Sequence, residues 1–121
     1  MTAKELYTMA RHLMQDNMTS KNMDEYYITD INVLLAELFN ENNALRVRAN
    51  KGPLINIPIV HKETDSIMYE PMMIYNILPK GLAARFFIDE DDRSKYTILQ
   101  TDYMNARTMA LPVTLEEGWN V

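Results

Sequence analysis

The chain has no cysteine among its 121 residues. Disulfide scaffolds, thiolate zinc sites, iron–sulfur clusters and cysteine nucleophiles are therefore excluded. Glycine is nearly absent: Gly52, Gly81 and Gly118 are the only three, and no glycine-rich phosphate loop can be built from them. With only five prolines, collagen-like and Pro-rich linker compositions are excluded as well. Histidine is limited to His12 and His61, neither with a second metal ligand at a recognisable spacing. No apolar run approaches the roughly 18 residues that span a membrane. The start, Met1 to Leu6, lacks the basic residues and apolar core of a signal peptide. No Gly-x-Ser-x-Gly elbow surrounds Ser20, Ser66 or Ser94. The expectation is a chain without catalysis, metal or cofactor, and not associated with a membrane.

What is present fits one folded domain over residues 1–121. Hydrophobic residues make up 47% and charged residues 24%, ordinary values for a soluble globular chain. Acidic residues outnumber basic ones 17 to 12, for a net charge of −5. Phosphate neutralisation dominates nucleic-acid affinity, so an acidic chain with dispersed cations is a poor binder. Arg46, Arg48 and Lys51 are the nearest thing to a basic patch.

Hydrophobic periodicity predicts a mainly α fold: a four-helix bundle-like domain with a long arm between helices two and three. The first helix spans about residues 2–18, with Leu6, Met9, Leu13 and Met14 at helical spacing. Thr2 and Glu5 have the form of a capping box. A second helix is expected from Asn22 or Asp24 to about Asn50. Its stripe is Tyr27, Ile31, Leu34, Leu35, Leu38, Phe39 and Leu45, with Asn40 to Asn43 as a fraying point or an exposed turn. Gly52 and Pro53 are expected to end it. The third helix begins at Pro71, which is well suited to a first turn. It carries Ile74, Ile77, Leu78, Leu82, Phe86 and Ile88. Pro79 is expected to kink it without splitting it. Gly81, Ala83 and Ala84 supply a small face for close helix contact. The fourth helix, about residues 92–110, has a narrow seam of Tyr96, Leu99, Tyr103, Ala106 and Ala110 for antiparallel pairing with the third.

The arm, about residues 51–70, is the unusual element. Structureless connections of that length are uncommon in small domains and often carry function. Leu54 to Val60 is apolar and partly alternating, but Pro53 and Pro58 limit it to an edge strand or extended arm. Ile67 to Tyr69 could pair back on it, so a β-hairpin and a long loop both remain open. An apolar arm that the helices leave uncovered calls for a partner surface. Ile55, Ile57, Ile59 and Tyr69 are the interface candidates, with Trp119 in the tail, about residues 112–121, as a fifth. Deleting residues 54–69 is expected to leave the helical signal intact while abolishing assembly. Met72, Met73, Met104 and Met109 suit either a core or an adaptable binding face. Asp89, Glu90, Asp91 and Asp92 form an acidic connection that lacks the spacing of a calcium loop.

Several of these segments together resemble a known family. Leu78-Pro79-Lys80-Gly81-Leu82-Ala83-Ala84 is followed by the acidic run Asp89 to Asp92 and a helix with Tyr96, Tyr103 and Asn105. Before them come a helix with Ile31-Asn32 and Leu34-Leu35 and an extended stretch with Ile57-Pro58. Over about residues 24–110 the chain resembles the small head–tail connector, or neck, proteins of tailed bacteriophages and prophages. The resemblance implies a structural protein that forms a multi-copy ring and joins the portal to tail-side proteins around the DNA channel. It implies residence in the host cytoplasm during assembly and then in the virion neck. Asp89 to Asp92 would then face the lumen, where acidic groups let DNA slide past, or plain solvent. The alternative is a small bacterial or phage regulatory module that acts through protein contacts.

Overall fold

Residues 1–14, 21–89 and 93–110 are described by a computed structural model. Among them the chain forms five helices and no β-strand: α1 (Ala3–Leu13), α2 (Lys21–Glu37), α3 (Phe39–Arg48), α4 (Leu78–Asp89) and α5 (Arg93–Ala110). A π-helical turn, Met73–Ile77, leads directly into α4.

Helix α1 starts as its sequence dictates. The Thr2 hydroxyl accepts from the Glu5 N–H at 3.2 Å, and the Thr2 N–H donates to the Glu5 carboxylate at 3.1 Å. The remaining donors of the first turn are taken by the arm and by Thr2. Ala3 and Lys4 donate to the carbonyls of Asp65 and Glu63, each at 3.0 Å, and Leu6 donates to Thr2. All four N–H groups that a helix start leaves unpaired are thus satisfied. The buried face is Ala3, Leu6, Tyr7, Ala10 and Met14, while Leu13 is exposed.

The long second helix of the sequence reading is two helices. Leu38 separates α2 from α3, with φ −96° and ψ 5°. The carbonyl of Leu35, which an unbroken helix would offer to the Phe39 N–H, accepts the Tyr69 hydroxyl. A side chain inserted into the backbone ladder is a recognised cause of such breaks. At the far end, Asn50 adopts the left-handed conformation with φ 61°. The Lys51 N–H returns to the Arg46 carbonyl at 2.8 Å and the Asn50 N–H to that of Val47 at 3.0 Å. This is a Schellman closure, so Asn50, and not Gly52, ends the helix.

Helix α4 is central and touches α1, α2 and α5. It buries most of its circumference, including Leu78, Leu82, Ala83, Ala84, Phe86 and Phe87, while Ile88 stays exposed. The helix runs unbroken through Pro79. The Leu78 N–H reaches back to the Met73 carbonyl, and the widened π turn gives room where a proline ring would crowd the preceding turn. Gly81 permits a close helix approach: a Cβ there would lie 2.8 Å from Tyr103 Cε1 and 3.0 Å from Leu34 Cδ2. The predicted α5 seam is present, with Tyr103 and Ala106 buried and Tyr96, Leu99 and Ala110 packed against the core. Tyr7 joins three helices, stacking on Tyr27 at 4.2 Å and meeting Phe86 edge-on at 5.7 Å.

The arm forms no hairpin. Ile67 to Tyr69 does not pair with Leu54 to Val60; instead Ser66 makes an isolated antiparallel bridge with Thr2, and the Ile67 N–H donates to Met1. Val60, Ile67 and Tyr69 belong to the core. Deleting residues 54–69 would therefore remove core side chains along with the exposed ones, and the helical signal would not survive it intact.

Candidate functional site

Three asparagines fix the arm to the helices. The Asn43 side chain accepts from the Leu54 N–H at 2.7 Å and donates to the Leu54 carbonyl at 3.1 Å. The Asn32 side chain brackets Val60 in the same way, at 2.8 and 2.9 Å. Buried Asn42 accepts the Glu70 N–H at 2.8 Å. The arm thus runs antiparallel to α2 and α3. Asn32 and Asn43 are about 16 Å apart along the helical direction at 1.5 Å per residue. Leu54 to Val60 spans about 20 Å when fully extended. The segment must therefore be largely extended, and the slack is taken up in a bend at Ile55 and Asn56.

This attachment determines what the arm presents. In extended chain a residue directs its N–H and C=O to one edge, and the next residue uses the other edge. Val60 faces its edge to Asn32, so Pro58 shares that inner edge, where its missing N–H leaves no donor unpaired. Ile57 and Ile59 face outward. From Ile55 to Ile59 no backbone group hydrogen-bonds within the described residues. The side chains follow suit: Ile55 is 91% exposed, Ile59 64% and Ile57 43%. Three isoleucines beside an unpaired backbone edge form an adhesive strip of the kind that soluble proteins normally cover.

The other predicted interface residues are placed differently. Tyr69 is buried, with its hydroxyl on Leu35. Burial, and the Glu41 carboxylate after it, push this phenol up to about 12. Tyr69 is a core residue and not part of the strip. Asp89 ends α4. Glu90, Asp91, Asp92 and Trp119 lie outside the described residues. The basic trio has structural partners: Arg46 donates to Gly52 at 2.7 Å, Arg48 to Ala110 at 3.3 Å, and Lys51 pairs with buried Glu70 at 3.0 Å. Among the described residues no group of three or more His, Asp or Glu side chains is placed to hold a metal ion. No described helix is long and apolar enough to cross a membrane.

The sequence reading missed the clamps. Their signal was present: Asn32 flanks the apolar stripe of a helix, where asparagine is a poor helix former that readily bonds backbone instead. Asn42 and Asn43 lie in the stretch expected to be a fraying point or an exposed turn, whereas both are in α3 and Asn42 is buried.

A cleft of about 390 Å³ opens between the π turn with α4 and helix α5. Met72, Asn76 and Lys80 form one wall, and Asp102, Asn105, Ala106, Met109 and Ala110 the other. Met72, Met104 and Met109 are exposed, while Met73 is in the core. Comparison with family models, with curated proteins and with solved structures finds no match for this chain.

Proposed function

We propose that the chain is a non-catalytic assembly protein whose isoleucine arm joins it to neighbouring subunits. The observation that carries this reading is the arm itself: an apolar strip with an unpaired backbone edge, held in place at both ends by Asn32 and Asn43. A disordered loop would lose much binding energy on ordering, whereas a clamped strip is already in its binding conformation. The resemblance over residues 24–110 supplies the finer reading, a ring-forming head–tail connector of a tailed phage or prophage that contacts portal and tail-side proteins. It acts in the host cytoplasm during assembly and then in the virion neck. No specific nucleic-acid binding is required of it, in keeping with the net charge of −5.

Mass spectrometry of particles purified after infection or prophage induction tests this. The chain is expected in multiple copies per particle. Complete particles formed without it would overturn the connector reading and leave the regulatory module as the better account.

A further inference from the structure

We propose that residues 111–121 lie as an added strand along the outer edge of their own chain's arm and cover the isoleucines until a neighbouring subunit displaces them. The contact regulates the strip that the assembly reading makes the joining surface, and in that respect it rests on that reading.

The inference starts from where the two segments begin. The last turn of α3 holds both. Arg46 donates from Nε to the Gly52 carbonyl at 2.7 Å, at the entrance to the arm. Arg48, two positions on, donates to the carbonyl of Ala110, which ends α5, at 3.3 Å. The chain beyond Ala110 therefore sets out from the same turn as the arm. From there the arm runs back along α3 and α2, from Asn43 to Asn32. Eleven residues, 111–121, follow Ala110. They can extend over about 36 Å, whereas Leu54 to Val60 needs about 20 Å. A segment laid beside the arm from this start is parallel to it. Parallel strands need a long crossover between them, and residues 61–110, with α4 and α5, provide it.

The sequence of the segment suits the edge. Leu111, Val113 and Leu115 alternate with Pro112 and Thr114. This is the two-residue period of Ile55, Ile57 and Ile59. That period puts side chains on one face of a strand, so pairing brings both apolar sets to one face. The N–H and C=O groups of Ile57 and Ile59 have no partner among the described residues. Residues 111–115 offer a carbonyl at every position and an N–H at every position but Pro112. Neither residues 111–115 nor residues 54–60 carry a charge, so pairing takes no ionised group out of water.

Proximity decides whose segment covers the strip. A segment tethered at the entrance to the arm is present there at an effective concentration on the order of millimolar. A second copy in dilute solution is far scarcer. A neighbouring subunit must therefore offer more contact than the C-terminal segment does, and the strip is covered in the single chain and opened on assembly.

Because the chain has no cysteine, introduced thiols are the only ones present. Full-length chain carrying Ile57→Cys and Leu115→Cys is oxidised in dilute solution, and linked peptides are identified by mass spectrometry. The expected product is a disulfide within one chain, reversed by reductant. The comparison pair is Met72→Cys with Leu115→Cys. Met72 is exposed and lines a cleft together with Ala110, which keeps it near the start of the same segment. Its disulfide is expected to form about tenfold more slowly. Hydrogen exchange supplies a readout without thiols. In full-length chain carrying Val113→Ser and Leu115→Ser, the Ile57 and Ile59 amides are expected to exchange about tenfold faster than in the unmodified chain. Equal rates for the two cysteine pairs, links that join only separate chains, or equal amide exchange in the two proteins would each overturn the proposal. Light scattering separates it from the assembly reading, since the double serine chain is expected to self-associate about tenfold more tightly. A 57–115 link with unchanged association leaves the covered strip standing and removes the assembly reading. Association through the arm without that link does the reverse.

Discussion

The side chain of Asn32 makes two hydrogen bonds to Val60, donating to its carbonyl at 2.9 Å and accepting from its N–H at 2.8 Å. A helical residue thus behaves as a neighbouring strand would, and it anchors the end of an arm whose other end is anchored by Asn43. Asn32→Ala removes both bonds and leaves a part-buried N–H without its acceptor. The expected cost is about 1–3 kcal/mol, read by urea denaturation, with faster amide exchange at Val60 than at the helical core. Asn32→Asp keeps the acceptor and loses the donor, so an intermediate effect is expected. Equal exchange in all three proteins would show that the arm is held by its core side chains alone.

Gly81 lies under Tyr103. Alanine is the better helix former by about 1 kcal/mol, yet its Cβ would approach the Tyr103 ring to 2.8 Å. That ring is buried and tethered, since its hydroxyl donates to Glu37 at 2.7 Å. It has little room to yield. Gly81→Ala is therefore expected to destabilise by about 1–3 kcal/mol in spite of propensity. In a Tyr103→Leu background the same change is expected to cost less. A stabilised Gly81→Ala protein would mean that α4 and α5 separate more easily than their packing implies.

Arg107 joins α5 to both halves of the broken second helix. It grips Glu41 with two parallel bonds of 2.7 and 3.1 Å and reaches Glu37 at 3.0 Å. Its side chain is only 21% exposed, so the pair is screened less than a surface one. Arg107→Ala is expected to cost about 1–2 kcal/mol. Arg107→Lys should recover little, because an ammonium cannot reproduce the planar fork. Added salt should narrow the difference between wild type and Arg107→Ala, and a difference insensitive to salt would point to packing instead.

Four tyrosines predict alkaline behaviour, Tyr27 among them because burial and then Glu63 raise its phenol. Burial and then the Asp24 carboxylate push Tyr7 up to about 12, burial and then Glu41 do the same for Tyr69, and burial with Glu37 raises Tyr103 further. A phenol is neutral when protonated, so the folded chain keeps these protons to higher pH than the unfolded chain does. Their contribution is fully present below about pH 10, where unfolded tyrosine titrates. It is lost as pH rises through the folded values. Stability should therefore fall steeply from about pH 10 upward, along with the tyrosinate absorbance change. Tyr69→Phe should flatten the fall while lowering stability at neutral pH, because the Leu35 carbonyl loses its donor.

The features that could be read from the residues were local ones. The capping box at Thr2 and Glu5, the start at Pro71, the small face at Gly81 and the Tyr103–Ala106 seam follow from neighbours three or four positions apart, where side-chain periodicity fixes which groups meet. The exposed isoleucines were also legible, as an apolar run that Pro53 and Pro58 keep out of a central strand. The division of α2 from α3 was not. It depends on a tyrosine 34 positions away whose hydroxyl takes the Leu35 carbonyl, and no local pattern carries that information. The clamps are of the same kind: Asn32 and Val60 are 28 positions apart, and an asparagine in a helix announces only that its amide will seek a partner. The sequence by itself determined the helical class, most of the helix limits and the apolar character of the arm, because these depend on propensity and spacing. Only the tertiary structure decided which face of the arm is buried, that Tyr69 belongs to the core, and that Asn32 and Asn43 clamp the arm to α2 and α3. Those outcomes depend on which distant backbone groups find hydrogen-bond partners when the chain closes on itself.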